Sequence, residues 1–229
     1  MKLRTFVLVA LMAIAAPAAN VGFPFADEQL NYSINWPSGL SIGEGHLLAK
    51  KAGGHWNFSL SMDAGIPGFA VKDEYRAQAA GELCSSLFTK KTTHGTKKVD
   101  EATTVDYSKK IATRATGNNG GKTEIPVSDC AKDALTYLFW GRQELGQGRV
   151  PKPRQVLFGA LYQANFEYIG AAVIRVNDKE VKTDKLICTL KGPASELKFE
   201  MFVARDAART PVEFRVPLPI GTFSMELIQ

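Results

Sequence analysis

Histidine is scarce in this chain: there are three, His46, His55 and His94. None has a second His or a Cys at metal-ligand spacing, so the pattern offers no metal site and implies no cofactor. Catalytic signatures are missing too. There is no G-x-S-x-G elbow and no phosphate-binding loop. The pair of glycines in "GEG" (43–45) lacks the helix a dinucleotide site requires, so it reads as a kink in a strand. Beyond residue 18 no apolar run approaches the roughly twenty residues of a membrane-spanning helix. Strong charge of one sign is absent: the formal net charge is +5, or +3 without Lys2 and Arg4, too little to argue for nucleic acid.

What is present begins with a leader. Lys2 and Arg4 form a basic start, "FVLVALMAIAA" (6–16) is an apolar stretch of eleven residues, and "APA" (16–18) places small residues at −3 and −1 of a cut after Ala18. This is the pattern of a cleaved secretory signal peptide, too short to span a bilayer. The expectation is a signal peptide over 1–18, one β-rich domain over 19–229, and a periplasmic or cell-envelope location in a bacterium. The mature protein is then not an integral membrane protein.

Three cysteines remain, Cys84, Cys130 and Cys188. In an oxidising compartment an odd count suggests one disulfide and one leftover thiol. Cys84 follows the turn "AAGEL" and Cys130 precedes a helix, which favours a Cys84–Cys130 bond. Cys188 lies inside the strand-like "DKLICTL", where a buried thiol is common. No histidine stands in a nucleophile motif near any of the three.

Alternation dominates the rest. "LNYSINW" (30–36) places Leu30, Tyr32, Ile34 and Trp36 on one face, and "HWNFSLSMD" (55–63) does the same with Trp56, Phe58, Leu60 and Met62. Period two over seven or more residues marks half-buried antiparallel strands. Turn signals at "PSG" (37–39), "KAGG" (51–54), "HG" (94–95), "VND" (176–178), "GPAS" (192–195) and "AART" (207–210) separate about a dozen such strands, and "GNNGG" (117–121) is a loop. The fold class that follows is mainly β: a single-domain, strongly curved antiparallel sheet or open β-barrel with one helix covering the mouth or filling the concave side.

That helix is "AKDALTYLFWGRQEL" (131–145), capped by Ser128 or Asp129 and ended by Gly146. At about 100° per residue its apolar stripe holds Ala131, Ala134, Leu135, Leu138, Phe139 and Leu145. Asp133, Tyr137, Trp140 and Glu144 lie opposite. Arg142 falls within the stripe. Either its stem packs on the sheet while the guanidinium meets a strand carboxylate among Asp73, Glu74, Glu101, Asp106 and Glu167, or it is an anion clamp inside a cavity. Arg142, Tyr137 and Trp140 are the ligand-binding candidates, and no catalytic residue is identified. Lys90, Lys91, Lys97, Lys98, Lys109 and Lys110 read as a solvated edge, with weak attraction to anionic lipid or polysaccharide as the alternative. Carboxylate pairs such as Asp100 or Glu101 with Asp106 are conceivable for glycoside chemistry. Trp36, Trp56 and Trp140 suit core packing or stacking on sugars.

Taken together, "PFADEQLNYSINW", "IGEG", the helix with Tyr137 and Arg142, and "ARDAARTPVEFRVPLPIGTFSMEL" resemble a bacterial family of exported proteins, domain of unknown function 3108, over about Phe25 to Ile228. The closing block is the most specific marker, with Asp206, Arg209, Pro211, Val212, Pro219 and Gly221 in place. Ile34 stands where the family usually has Val, and Asp27 near a common Gly. The resemblance implies a signal-bearing antiparallel β-protein of the envelope and no activity. Similar curved sheets with one helix occur in periplasmic lipoprotein carriers, a likeness of fold alone. The expected function is non-enzymatic: a binding or envelope-maintenance module for an amphipathic or anionic small molecule, a lipid or a partner segment. An enzyme acting on envelope polysaccharide through strand carboxylates is the alternative. An outer-membrane barrel fits the alternation, but lysine on many outward strand positions opposes it.

Overall fold

The computed structural model describes residues 27–66, 68–117 and 120–228; the leader read over 1–18, part of the 117–121 loop and Gln229 lie outside them. The described chain forms fifteen strands and one helix. The first eight strands run as a meander: β1 (Glu28–Asn35), β2 (Ser41–Ala52), β3 (His55–Ile66), β4 (Phe69–Ala80), β5 (Cys84–His94), β6 (Lys97–Asp106), β7 (Ile111–Thr116) and β8 (Lys122–Pro126). The short β9 (Lys132–Asp133) leads into α1 (Ala134–Gly146). A second meander follows: β10 (Arg154–Leu157), β11 (Leu161–Val176), β12 (Lys179–Lys191), β13 (Glu196–Ala204), β14 (Pro211–Leu218) and β15 (Gly221–Ile228).

All fifteen belong to one sheet, in the order β8-β7-β6-β5-β4-β3-β2-β1-β15-β14-β13-β12-β11-β10-β9. Every neighbour pair is antiparallel except β9 with β10. The period-two stretches account for this directly: Leu30 faces Leu47 and Tyr32 faces Gly45 across β1 and β2, while Phe58 faces Ala77 across β3 and β4. "GEG", read as a kink, is a place of close approach. A Cβ on Gly43 would collide with the backbone of Asp63 and Ala64 in β3, and the bulge at Ile34/Asn35 in β1 lies opposite.

The sheet rolls but does not close edge to edge. β9 contacts β5, an interior strand, so β6–β8 extend past the meeting point. There a small separate core of Ala112, Ile125, Ala131 and Leu157 seals the overlap. At the other end a bulge between Tyr168 and Gly170 breaks the β11–β12 register. The outer part of that hairpin packs Ile174 and Val176 against Phe202, Ala204 and Val212, and Asn177 donates to the Leu227 carbonyl of β15 at 2.9 Å.

The helix fills the concave side. Phe139 is fully buried and stacks on Phe58 with ring centroids 4.1 Å apart. Its start differs from the sequence expectation. Ala131–Asp133 are not helical, because Lys132 and Asp133 pair in parallel with Val156 and Leu157 of β10. The cap is Asp133, not Ser128 or Asp129: its carboxylate accepts from the Leu135 and Thr136 amides at 2.8 and 3.0 Å. The Thr136 hydroxyl returns a bond from the Asp133 amide, completing a capping box. The end is also displaced. Gly146 stays in the last turn and Gly148, at φ +74°, is the left-handed residue. The Gly148 amide reaches the Leu145 carbonyl and the Arg149 amide the Glu144 carbonyl, a Schellman closure. Burial is wider than the predicted stripe, since Thr136, Tyr137 and Gly141 are buried as well. A helix enclosed by a rolled sheet has no free back.

Candidate functional site

Arg142 is fully buried, and its carboxylate partner is Glu28 of β1, none of the five acids expected. Two parallel bonds of 2.7 Å join the guanidinium to the carboxylate. Nε donates to the Arg209 carbonyl and Nη2 to the Ala208 carbonyl, both at 3.1 Å. The loop that supplies those carbonyls is held in turn. Asp206 accepts from the Thr210 amide and hydroxyl, and the Arg209 and Arg205 side chains both reach Asp184. Tyr32, buried beside this cluster, donates to the Pro211 carbonyl at 2.8 Å, and burial pushes its phenol well above the usual range. Arg142 therefore pins helix, first strand and the β13–β14 loop together. An anion could take its guanidinium only by breaking the Glu28 pair.

Under the opposite part of the helix lies an apolar cavity of about 230 Å³. Leu135, Tyr137 and Leu138 of α1 form one wall. Leu60, Tyr75, Phe88, Phe158, Phe166, Leu190, Phe199 and Met225 form much of the rest. Leu197, at its rim, is 41% exposed. The phenols in the wall are engaged elsewhere: Tyr137 donates to the Lys152 carbonyl at 3.2 Å and Tyr75 to Asp73 at 3.2 Å. Burial raises both phenols above their usual range, with the Asp73 charge adding to the effect at Tyr75. Cys188 also lines the cavity as a free, buried thiol that burial pushes upward. Of the three ligand-binding candidates, Tyr137 lines this cavity, Arg142 does not, and half-buried Trp140 stands between Tyr137 and the Arg154 guanidinium, 4.7 Å from its ring.

Where the cavity approaches β4–β7 the inward side turns polar. Asp73, buried, accepts from Tyr75 and bonds His94 Nε2 at 2.8 Å. Glu101 meets Arg114 at 3.6 Å. Lys90, paired across the strands with Tyr75 and Glu101, rests its ammonium 4.4 Å from the centre of the Phe158 ring. The lysine cluster is thus no sheet edge. β5 and β6 are interior strands and the edges are β8 and β9, with Lys90 turned inward and Lys91 outward toward Asp100. The outer face carries charge pairs such as Lys72 with Asp63.

The carboxylates considered for glycoside chemistry are dispersed. Asp100 faces outward toward Lys91, Glu101 inward toward Arg114, and Asp106 accepts from Ser108 and Lys109 in its own turn. The tryptophans do not converge either: Trp56 is in the core, and Trp36 packs edge-on against Phe223. Among the described residues no group of three His, Cys, Asp or Glu side chains is arranged for a metal ion, and no helix is long and apolar enough to cross a membrane.

At the seam, Cys84 and Cys130 form a disulfide. Beside it the Ser85 amide donates to the Ala131 carbonyl at 2.9 Å, and the Tyr107 phenol to the Ser85 carbonyl at 2.6 Å. Lys132 donates to the Glu82 and Leu83 carbonyls, and desolvation, then the nearby Arg154 charge, lower its ammonium to about 8. Asp133 is wholly buried, and desolvation raises its carboxyl to about 6 against the hydrogen bonds of its cap.

The family model described as "Protein of unknown function (DUF3108)" matches residues 31–228. The chain belongs to that family. No curated protein matches it. Among solved structures, a β-barrel-like protein of domain of unknown function DUF1849 from Brucella abortus is similar. Its TM-score is 0.57 at 4% identity, covering 89% of this chain and 96% of that one. At that identity the likeness is one of fold, here a large curved sheet that does not close. In this DUF3108 protein the opening block, the helix and the closing block meet at one point, through Glu28, Arg142 and the carbonyls of Ala208 and Arg209.

Sequence reasoning missed Glu28 and read Lys90 as part of a solvated edge; strand alternation corrects both. Carrying the Leu30–Tyr32 alternation two residues back puts Glu28 on the inward face, opposite buried Ala49. Carrying it on from Phe88 turns Lys90 inward.

Proposed function

We propose that this protein is a non-enzymatic binding module of the bacterial cell envelope, which holds the apolar part of an amphipathic ligand inside its rolled sheet. The cavity beneath α1 carries the reading. At about 230 Å³ it exceeds the roughly 150 Å³ void that binds benzene in an engineered core and falls short of pockets that enclose a drug-sized molecule, about 300 Å³ and upward. It suits one acyl chain or a similar apolar segment, with the polar remainder outside. The leader read over residues 1–18 and the disulfide support an oxidising, exported location. The dispersed carboxylates speak for binding over polysaccharide chemistry.

The test is titration of the mature protein with the uncharged fluorescent probe N-phenyl-1-naphthylamine, followed by displacement with extracted envelope lipid. Saturable binding that falls about tenfold in Leu138→Trp, whose side chain fills the cavity from the helix, is the expected result. A probe that does not bind, or binds the variant equally well, would overturn the reading.

A further inference from the structure

Charges that face the interior are expensive unless matched, and nearly all of them here are matched. Arg142 has Glu28 and two carbonyls; Lys132 has the carbonyls of Glu82 and Leu83. Asp73 is shared by Tyr75 and His94, and Glu101 is taken by Arg114. Lys90 differs. It faces inward between Phe88 and Thr92, and among the described residues no carboxylate oxygen lies within 4.0 Å of its ammonium. Its contact is the face of Phe158, itself part of the cavity wall, as are Phe88 before it and Tyr75 across from it. Lys90 does not itself line the cavity; its ammonium rests on a ring of the cavity wall, partly desolvated yet with its three donors kept.

We propose that Lys90 is the head-group site of the cavity, and that the ligand is an acyl amphiphile ending in an anionic group, a carboxylate or a phosphate. This rests on the reading of the cavity as a binding site and adds the sign of the head group. With the chain beneath α1 and the anion at Lys90, the ligand supplies the one opposite charge the interior lacks on this side. A cationic head meets Lys90 unfavourably, and a neutral head gains nothing from it. The two acids on the flanking strands do not oppose an anion here, because each already has its own partner.

The experiment displaces N-phenyl-1-naphthylamine from the mature protein with octanoate, octyl phosphate, octanol and octyltrimethylammonium. The anions should displace the probe at concentrations about tenfold below octanol, and the cation should be the weakest. Whichever anion is stronger identifies a carboxylate or a phosphate head. Lys90→Met should erase the preference while leaving probe and octanol binding unchanged, and Lys90→Arg should keep it. Octanol matching both anions, or a preference that survives Lys90→Met, would overturn the head-group assignment and leave the cavity reading standing. Failure of the probe and octanol to bind at all would sink the cavity reading, and this inference with it.

Discussion

At the scale of single residues, two buried charges show opposite solutions. Arg142 is neutralised by a bidentate carboxylate and two carbonyls, so removing one partner strands a charge in the interior. Glu28→Gln should destabilise the fold by about 3–5 kcal/mol, whereas the double change Arg142→Met with Glu28→Leu should cost much less, because no charge is left unmatched. Urea unfolding of the single and double variants measures the coupling. Among the described residues no cation is bonded to Asp133, and burial lifts its carboxyl from 3.8 to about 6. The folded state then binds the proton more tightly than the unfolded chain. Its stabilising contribution is full below about pH 4 and is lost as pH rises through 6, by an amount on the order of 2–3 kcal/mol. Asp133→Asn should accordingly gain that much on the parent between pH 4 and pH 7. Equal pH slopes in the two proteins would refute it. The comparison with the variant is needed because Asp106 and Glu144, held below their usual range by hydrogen bonds from Ser108 and Arg149, slope the other way.

At the scale of elements, α1 is defined less by its own periodicity than by what encloses it. Alanine is the better helix former, by about 1 kcal/mol over glycine, so an isolated helix would gain from Gly141→Ala. Here a Cβ at 141 would drive into the Phe166 ring of β11. The substitution should therefore destabilise the protein by roughly 1–3 kcal/mol, read as a lowered midpoint in thermal unfolding followed by circular dichroism. The same enclosure buries more of the helix than its apolar stripe and starts it later than the sequence predicts. The capping residue is the second residue of a two-residue strand, and that strand exists only through its pairing with β10.

At the scale of the whole molecule, the sheet is completed by a staple rather than by strand pairing. The Cys84–Cys130 bond, the Ser85–Ala131 backbone bond and the Tyr107 phenol hold β9 against β5. Closing a 46-residue separation is worth up to about 4 kcal/mol on the chain-entropy account. Cys84→Ser with Cys130→Ser should lower the urea midpoint accordingly. It should also raise amide exchange in β6–β9 while the central strands β1, β2, β14 and β15 keep their protection. Uniformly faster exchange across the sheet would show that the seam is no separate unit.

Much was legible from the residues alone. Strict alternation, turn chemistry and one helical stretch, with no competing motif, determined a curved antiparallel sheet around a single helix, because period and turn type are local properties of the chain. Alternation even holds the clue to Glu28, two residues before Leu30 on the inward face. What only tertiary structure decided was pairing at a distance. Which acid meets Arg142, which edge meets β5, and whether the space under α1 is filled or open all depend on how far the sheet rolls. That roll is set by bulges, a disulfide and side-chain volumes summed over fifteen strands, and no local stretch of sequence encodes it.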